Sequence, residues 1–397
     1  MPQDSPKPPE SHDAVPTPQA RGEHFARFLH RDSKSAPMGA VFAPTITPTS
    51  LYALPGDPAG AHQYARWSNP GWSALEAALG ELDAASAVIF PSGAAAICSL
   101  FASRLRPGER LLLQADGYMG TRVLAEKFFV PFGVQVDLCS TRELASRSFA
   151  GYRMALVESP SNPGLDLVDL RTCAARAREH DCWLVVDNTL MSPLGQQPLA
   201  LGAEAVVYSD TKILNGHSDV LFGHVASRNA ELIAGVSEWR RVAGAIPGPF
   251  ETWMVQRGLE TLELRQERMQ ASALALAQAL AARGGPLEVV YPGLPGHPAH
   301  ALACAQMQGF GPLIGLTLPD RGTAERFIQE CRYLRPATSF GGLHASAECR
   351  ARWGDPVPGG FIRLSVGCEP PAALQAEVLR ALDVVLGPPP AAAAGSR

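Results

Sequence analysis

Five short, continuous apolar runs, separated by stretches of helical character, constrain the fold of this chain more than any other feature. The runs are "SAVIFPSG", "GERLLLQADGY", "MALVESPSNP", "CWLVVDNTL" and "AEAVVYSDTK". Strands that are covered on both faces have continuous apolar sequences of this kind. Stretches such as "PGWSALEAALGELDAA" and "LVDLRTCAARAREHD" favour helices between them. Because strands alternate with helices, the pattern predicts an α/β fold with a mostly parallel sheet sandwiched by helices.

A change in composition after about residue 240 predicts a second, smaller domain of the α+β type. "GLETLELRQERMQASALALAQALAARGG" is typical of one long helix, and the strand candidates "LEVVYPG", "GPLIGLTL" and "GFIRLSVG" follow it. Both ends of the chain are polar, Pro-rich or of low complexity, which favours disorder. The predicted division is a disordered tail over 1–35, an N-terminal arm over 36–60, a large domain over 61–240, a linker helix and smaller domain over 241–385, and a flexible tail over 386–397.

The composition excludes several functional classes. Lys and Arg total 34 and Asp and Glu total 38, a net charge of −4, whereas a general nucleic-acid-binding protein needs a basic excess. The eight cysteines form no C-x-x-C pair, which predicts neither a zinc site nor a disulfide framework, so reduced thiols and a cytoplasmic location are expected. The first residues lack the apolar core of a signal peptide, and "ASALALAQALAA" is too short to span a bilayer, so no membrane role is indicated.

Polar groups follow each of the five predicted strands. They are Ser92–Gly93, Asp116–Gly117–Tyr118, Ser161–Asn162, Asp187–Asn188 and Ser209 to Lys212. The carboxyl ends of parallel strands meet at one edge of a sheet, where ligands bind in folds of this type. Polar residues can simply mark where a strand ends, and for any one of these places that is the better interpretation. For all five together, one of which carries a lysine, a binding site is favoured.

Lys212 is the most informative residue of this set. A lysine in this place can bind a phosphate, form an ion pair, or form a Schiff base with a carbonyl. The phosphate-loop pattern G-x-x-x-x-G-K-[ST] and the dinucleotide pattern G-x-G-x-x-G are both absent. The hydroxyls of Ser209 and Thr211 precede the lysine instead, and they suit a phosphate ester while the amine meets a carbonyl. A pyridoxal phosphate (PLP) site requires these groups.

Nine blocks of the chain, in order, carry a resemblance to a known family. They are "YARWSNPGW", "PSGAAAI", "DGYMGT", "ESPSNPGLD", "VVDNTL", "SDTKILNGHSDVLFGHV", "PGPFETWMVQRGLETLELR", "YPGLPGHPAH" and "FIRLSVG". On these blocks the chain, from about residue 36 to about residue 385, resembles the Cys/Met-metabolism family of PLP-dependent enzymes, which includes cystathionine lyases and synthases and methionine γ-lyase. The resemblance implies the aspartate-aminotransferase-type fold (PLP-dependent transferase type I), PLP as cofactor of the large domain, and an amino-acid substrate.

The resemblance also implies roles for the cofactor-binding residues. Lys212 would bind PLP covalently and then move the substrate proton, which requires a lowered pKa. Asp187 would pair with the pyridine nitrogen, although a strand-terminal aspartate taken alone is as often a helix cap. Tyr118 would stack on the ring and exchange a proton near the leaving sulfur. The other implied contacts are Ser92, Gly93 and Ala94 at a helix start with Ser209 and Thr211 for the phosphate, and Asn162 for the 3′-oxygen.

Four further residues have implied roles away from the cofactor ring. Arg363, in "FIRLSVG", would bind the substrate α-carboxylate through its two-pronged guanidinium, assisted by Ser339. Tyr64 and Arg66 match a Y-x-R pattern that reaches the phosphate of a neighbouring subunit. The resemblance therefore implies a homo-oligomer, at least a dimer and, as in most relatives, a tetramer.

No metal site is expected. His217, His224, His297 and His300 have no carboxylate or cysteine partner at ligand spacing, so structural roles are favoured for these histidines.

Departures from the family patterns bear on the reaction. The chain has "YMGT" where methionine γ-lyases have Y-G-C-T, and His344 where cystathionine-handling members have a glutamate for the far end of the substrate. The roles of Met119 and His344 stay open. The variant "SFGG…RARWGD" resembles a bacterial subgroup described as cystathionine γ-lyases. We therefore expect a PLP-dependent carbon–sulfur lyase that acts on L-cystathionine by γ-elimination. The alternatives are a cystathionine γ-synthase or O-acylhomoserine sulfhydrylase, or a catalytically silent binding protein on the same fold.

Overall fold

The computed structural model describes residues 18–31, 36–56 and 60–389. Within these residues seven strands form the large sheet: β1 (Ser86–Phe90), β2 (Arg110–Gln114), β3 (Gln135–Cys139), β4 (Met154–Glu158), β5 (Trp183–Asp187), β6 (Ala205–Tyr208) and β7 (Gly223–Ser227). Their order across the sheet is β1-β7-β6-β5-β4-β2-β3. All neighbours are parallel except that β7 runs antiparallel to both β1 and β6. The predicted mostly parallel sheet is confirmed.

The helices are described by their bounds along the chain. They are α1 (Pro18–Leu29), α2 (Pro70–Asp83), α3 (Gly93–Arg104), α4 (Met119–Phe128), α5 (Thr141–Leu144), α6 (Leu170–Arg178), α7 (Ser192–Gly195), α8 (Ala230–Ala243), α9 (Pro249–Leu259), α10 (Leu262–Arg283), α11 (His300–Gln306), α12 (Arg321–Glu330) and α13 (Pro371–Leu386). In the described part of the chain, none of them is long and apolar enough to cross a membrane.

Both faces of the large sheet are covered, which explains the continuous apolar runs. Along β1, Val88 and Phe90 pack with α3 and α8, whereas the alternate residues Ala87 and Ile89 pack with α1, α2 and α9. Successive side chains of a strand point to opposite faces, so a strand covered on both sides needs apolar residues at every position.

A second sheet forms the smaller domain that the sequence predicts. Its strands are β8 (Glu288–Val290), β9 (Leu313–Thr317), β10 (Arg335–Pro336), β11 (Ser346–Cys349) and β12 (Phe361–Ser365). They lie in the order β10-β11-β12-β9-β8 among the described residues and pack with α10, α12 and α13 into one apolar core. The division of the chain at residue 240 stays a prediction.

The predicted long helix is α10, which begins at Leu262 and not at Gly258. α9 ends at Leu259, so only Glu260 and Thr261 separate it from α10. Arg265 of α10 lies beside the turn that follows Lys212, where its guanidinium donates to the carbonyls of Ile213 (2.7 Å) and Leu214 (3.0 Å). The small domain is thereby tied to the lysine turn of the large one.

The expectation for the N-terminal segment is wrong over part of its length. A disordered tail was expected over residues 1–35, yet residues 18–29 form α1. Phe25 and Phe28 stack on each other at 5.3 Å and are buried against Trp72 and Leu75 of α2, and this burial stabilises the helix. Residues 1–17 and 32–35 of that tail, and residues 390–397 of the expected C-terminal one, lie outside the described residues.

Candidate active site

A cavity of about 330 Å³ lies at the carboxyl ends of the parallel strands, the place that the strand-end residues predict. Its lining includes most of the predicted site residues. These are Ser92, Gly93, Ala94, Tyr118, Asn162, Asp187, Ser209, Thr211, Lys212, Ser339 and Arg363. The predicted residues from the large domain and the two from the small domain therefore meet in one cavity.

Lys212 extends into this cavity from the turn after β6. Its Nζ donates a hydrogen bond to Ser339 Oγ at 2.6 Å and lies 5.3 Å from the centre of the Phe340 ring. Burial, and then the positive charge of Arg363, lower the pKa of Lys212 to about 8, while Asp187 opposes the shift. An amine in this state is partly deprotonated near neutral pH and can act as a nucleophile, which a solvent-exposed lysine cannot do as well.

Asp187 is the last residue of β5 and is 9% exposed. Its Oδ1 accepts the Thr189 backbone N–H at 3.0 Å, so the backbone fixes the carboxylate. Burial raises the pKa of Asp187, and the positive charge of Lys212 counteracts part of this shift. A buried carboxylate of this kind is stabilised by a cation placed against it.

The start of α3 packs tightly against the ends of β6 and β7. A Cβ on Gly93 would lie 2.7 Å from Ser209 Cβ, and one on Gly223 would lie 2.5 Å from the Gly93 nitrogen, so neither position has room for a side chain. Ser92 is the N-cap of α3, and its Oγ accepts the Ala95 N–H at 3.1 Å. The hydroxyl cap leaves the first backbone N–H groups of the helix facing the cavity, which suits an anion.

The hydroxyl of Thr211 is already paired in this structure. Thr211 Oγ1 accepts the Phe222 N–H at 2.9 Å and donates to the Phe222 carbonyl at 3.2 Å. Ser209 is therefore the better placed of the two predicted hydroxyls for a phosphate.

Glu158, which the sequence did not single out, links two of the predicted residues. Its Oε2 accepts the backbone N–H of Tyr118 at 3.0 Å and of Asn162 at 3.3 Å. Burial, and then the neighbouring Asp187, raise the pKa of Glu158 well above its usual range. The ring of Tyr118 itself is 50% exposed and lies over Gly120, where a Cβ would overlap it.

Arg363 is 5% exposed, on β12 of the small domain. Its Nη1 donates to Asn162 Oδ1 at 2.9 Å and its Nη2 to the Ser339 carbonyl at 3.1 Å. Burial, and then the positive charge of Arg350, lower the pKa of Arg363 to about 10, so the guanidinium stays charged at neutral pH. Ser339 has a left-handed backbone, with φ of 79°, a strained conformation for a serine.

Two predicted residues do not line the cavity. Tyr64 is 38% exposed, and Arg66 lies 5.5 Å from its ring and donates to the Arg241 carbonyl at 2.6 Å. Two other strand-end groups have structural tasks: Asp116 Oδ1 caps the backbone N–H of Thr141, and Asn188 Nδ2 donates to the carbonyls of Ser192 and Gln196.

Further cavity residues have no strong sequence signal. Thr189, Phe340 and Arg350 line the cavity together with Glu158. The block "RARWGD" contains Arg350, but nothing in its spacing shows that it faces the site. Over the described residues, no cluster of three or more His, Cys, Asp or Glu side chains could hold a metal ion.

Comparison with known proteins identifies the family. A model of the family described as "Cys/Met metabolism PLP-dependent enzyme" matches residues 26–383. The chain belongs to this family. It is therefore a PLP-dependent enzyme whose relatives act on cystathionine-type amino acids.

Three relatives illustrate the likeness. A putative cystathionine γ-lyase of Streptomyces coelicolor is 45% identical over 352 residues, which cover 87% of this chain and 88% of the relative. The cystathionine γ-synthase of Mycobacterium bovis is 37% identical over 372 residues, which cover 90% and 96%. A crystal structure of cystathionine γ-synthase from Xanthomonas oryzae pv. oryzae in complex with cystathionine has a TM-score of 0.85 and 30% identity, covering 91% of this chain and 98% of that one.

The cavity residues fit PLP. The start of α3, pressed against Ser209 with no side chain at Gly93, offers an anion site for the phosphate. The buried Asp187 carboxylate suits a protonated pyridine nitrogen. The lowered pKa of Lys212 suits covalent attachment to the aldehyde.

Borohydride treatment of the PLP-loaded protein is expected to fix the cofactor on Lys212. The chain has four lysines, Lys7, Lys34, Lys127 and Lys212, so peptide mass spectrometry can assign the label without ambiguity. The K212R variant should carry no covalent label, whereas K127R, altered at an exposed lysine of α4, should be labelled like the wild type. Label on another lysine, or label retained in K212R, would contradict the assignment.

Proposed function

We propose that this enzyme is a cystathionine γ-lyase, which cleaves L-cystathionine to L-cysteine, 2-oxobutanoate and ammonia. The observation that carries this choice is the 45% identity with a putative cystathionine γ-lyase, against 37% with a cystathionine γ-synthase. The "SFGG…RARWGD" segment, which places Ser339, Phe340 and Arg350 on the cavity wall, supports the same choice.

Five of the predicted site residues have a task in this reaction. PLP, when bound, withdraws electrons from the bonds to the substrate α-carbon. Lys212 takes the α-proton, since its lowered pKa makes it a base near neutral pH. Asp187 keeps the pyridine nitrogen protonated, and Arg363 holds the α-carboxylate with Ser339 beside it. Tyr118 lies at the mouth of the cavity and exchanges a proton near the departing sulfur.

An adjoining cavity of about 430 Å³ supports a substrate with two amino-acid ends. It shares Ser339 and Phe340 with the first cavity, and its wall carries Asp219, Arg335 and His344. A carboxylate and a guanidinium match the ammonium and carboxylate at the far end of cystathionine. Asp219 would supply the negative charge that the glutamate of other members supplies at the position of His344.

A cystathionine γ-synthase or an O-acylhomoserine sulfhydrylase is the second candidate. Its support is the structural likeness to the γ-synthase that was crystallised with cystathionine. A silent binding protein is disfavoured, because a protein without chemistry has no use for a lysine base beside a buried carboxylate-binding arginine.

Product analysis separates the lyase from the synthase. Cystathionine alone is expected to yield 2-oxobutanoate and cysteine, because Lys212 and Arg363 supply the base and the anchor that elimination needs. An acyl-homoserine mixed with cysteine is the control reaction and is expected to yield little cystathionine. The lyase proposal is wrong if the enzyme leaves cystathionine intact but makes cystathionine from the acyl-homoserine and cysteine.

We also assign the enzyme a homo-oligomeric state in which Arg66 reaches the phosphate of a neighbouring subunit. Tyr64 and Arg66 lie outside the cavity of their own chain. The N-terminal arm exposes large apolar side chains, which favours burial against a second copy. They are Met38, Val41, Phe42, Leu51 and Leu54.

Subunit mixing tests this assignment. K212A and R66A are each expected to have little activity, because one lacks the lysine and the other lacks the phosphate contact. When the two are unfolded and refolded together, hybrids contain sites with Lys212 from one chain and Arg66 from the other, so activity should return. K212A refolded with K127R/K212A is the negative control, because neither chain supplies Lys212. Activity that stays at the level of the separate variants would place Arg66 in its own subunit's site or outside any site.

A further inference from the structure

Glu348 lies directly opposite the proposed carboxylate-binding arginine. β11 pairs antiparallel with β12, and the register places Glu348 against Arg363. Glu348 Oε2 lies 3.3 Å from Arg363 Nη2. The position of this carboxylate relative to Arg363 is therefore set by backbone pairing and not by a mobile loop.

Glu348 is 2% exposed, and its carboxylate accepts hydrogen bonds from four side chains. Oε2 accepts from Arg350 Nη1 at 2.8 Å as well as from Arg363, and Oε1 accepts from Arg352 Nη2 at 2.9 Å and Trp353 Nε1 at 2.6 Å. Burial raises the pKa of Glu348, but the hydrogen bonds from Arg352, Trp353 and Arg350 outweigh it and bring the pKa to about 2. The group is therefore a fixed negative charge at any pH at which the enzyme works.

Arg350 is a second guanidinium on the cavity wall, and its charge is balanced locally. Asp355 Oδ2 accepts from Arg350 Nε at 2.7 Å and lies 2.6 Å from its Nη2. Arg350 also bonds Glu348 more closely than Arg363 does, at 2.8 Å against 3.3 Å. Glu348 is thus held in place by Arg350, and Arg363 keeps donors for a ligand.

The three acceptors around Arg363 fix the plane of its guanidinium. Asn162 Oδ1 binds Nη1, while the Ser339 carbonyl and Glu348 Oε2 bind Nη2. Glu348 is the only charged one of the three, and it also counteracts the lowering of the Arg363 pKa that burial and Arg350 cause. Removal of its charge would leave Arg350 and Arg363 facing each other in a buried site with less compensation.

We propose that Glu348 is a positioning residue, which orients Arg363 for the substrate α-carboxylate and is itself held by the Arg350–Asp355 pair. This inference rests on the proposed role of Arg363. A two-pronged guanidinium binds a carboxylate well only in one plane, so a small rotation of Arg363 weakens substrate binding. The carboxylate contact is made equally before and during the reaction, so its loss raises KM and leaves kcat nearly unchanged.

The test is the E348Q variant of the PLP-loaded enzyme, which keeps the shape of the side chain and removes its charge. We expect KM for L-cystathionine to rise by about ten- to a hundredfold, with kcat within about twofold and the PLP content unchanged. W353F is the matched control. Trp353 is half-exposed, and this variant removes its hydrogen bond to Oε1 of Glu348, the oxygen that does not contact Arg363. The KM of W353F should equal that of the wild type. An equal rise in KM in W353F would mean that Glu348 only supports the local turn.

A double-variant comparison decides whether Glu348 acts through Arg363. R363A alone should raise KM strongly, and E348Q added to R363A should raise it no further. An additional rise by the same factor would overturn the positioning role. If R363A leaves KM unchanged, the proposed role of Arg363 fails instead, so the two failures are distinguishable.

Two further measurements can also contradict the proposed role of Glu348. If E348Q does not fold, E348D retains the charge on a shorter side chain, and a wild-type KM in E348D would contradict the proposal. Amino-acid binding can also be followed by the spectral change of bound PLP on addition of L-alanine, which does not depend on the reaction that follows. Unchanged L-alanine affinity in E348Q would equally overturn the inference.

Discussion

The enclosure of the Lys212 amine in one cavity with a second cation, Arg363, is the constraint on which the rest of the site depends. Burial and the charge of Arg363 both disfavour the protonated lysine, which brings its pKa to about 8. Two buried carboxylates offset the charge of these cations: Asp187 at the end of β5 and Glu348 on β11. The large domain supplies the lysine and the small domain supplies the arginine, so the cavity that both residues line exists only with the two domains packed together. Arg265, on the helix between them, holds the carbonyls of the turn after Lys212 and links this packing to the position of the amine.

The sequence predicts the strands that are uniformly buried. It does not predict the strands whose polar residues are stabilised by partners distant in the chain. β4 and β5 are almost wholly buried, and their continuous apolar runs predict them directly. β3 is an edge strand with exposed positions, and Asp137 within it pairs with Arg110 of β2, so its sequence alternates apolar and polar residues and lacks the continuous apolar run of the buried strands. β7, "GHVAS", is fully buried yet contains His224, which lies 2.7 Å from Asp210. Burial lowers the pKa of His224, but Asp210 and the more distant Asp83 outweigh this effect and raise the pKa to about 9. Nothing local to either strand shows these partners.

The candidate site divides in the same way. Residues at the ends of parallel strands are predictable, because strand direction alone brings Asn162, Asp187 and Lys212 to one edge. Glu158, Thr189 and Arg350 were not singled out, since their contribution depends on contacts with residues far away in the chain. Arg350 and Glu348 belong to a segment that differs from the familiar family pattern, so the family resemblance gave no role for them. Met119 still has no assigned role.

The pH dependence of PLP attachment to the cofactor-free protein tests the central claim most directly. Under the proposed attachment to Lys212, the reaction needs the neutral amine of this residue, so its initial rate, followed by absorbance after mixing with PLP, reports the pKa of that amine. The account predicts a rate that rises about tenfold per pH unit below pH 7, is half-maximal near pH 8 and is level above pH 9. A rate that continues to rise past pH 9 towards the ordinary lysine pKa of 10.5 would contradict it, because the amine would then lie in water and not in the desolvated cavity.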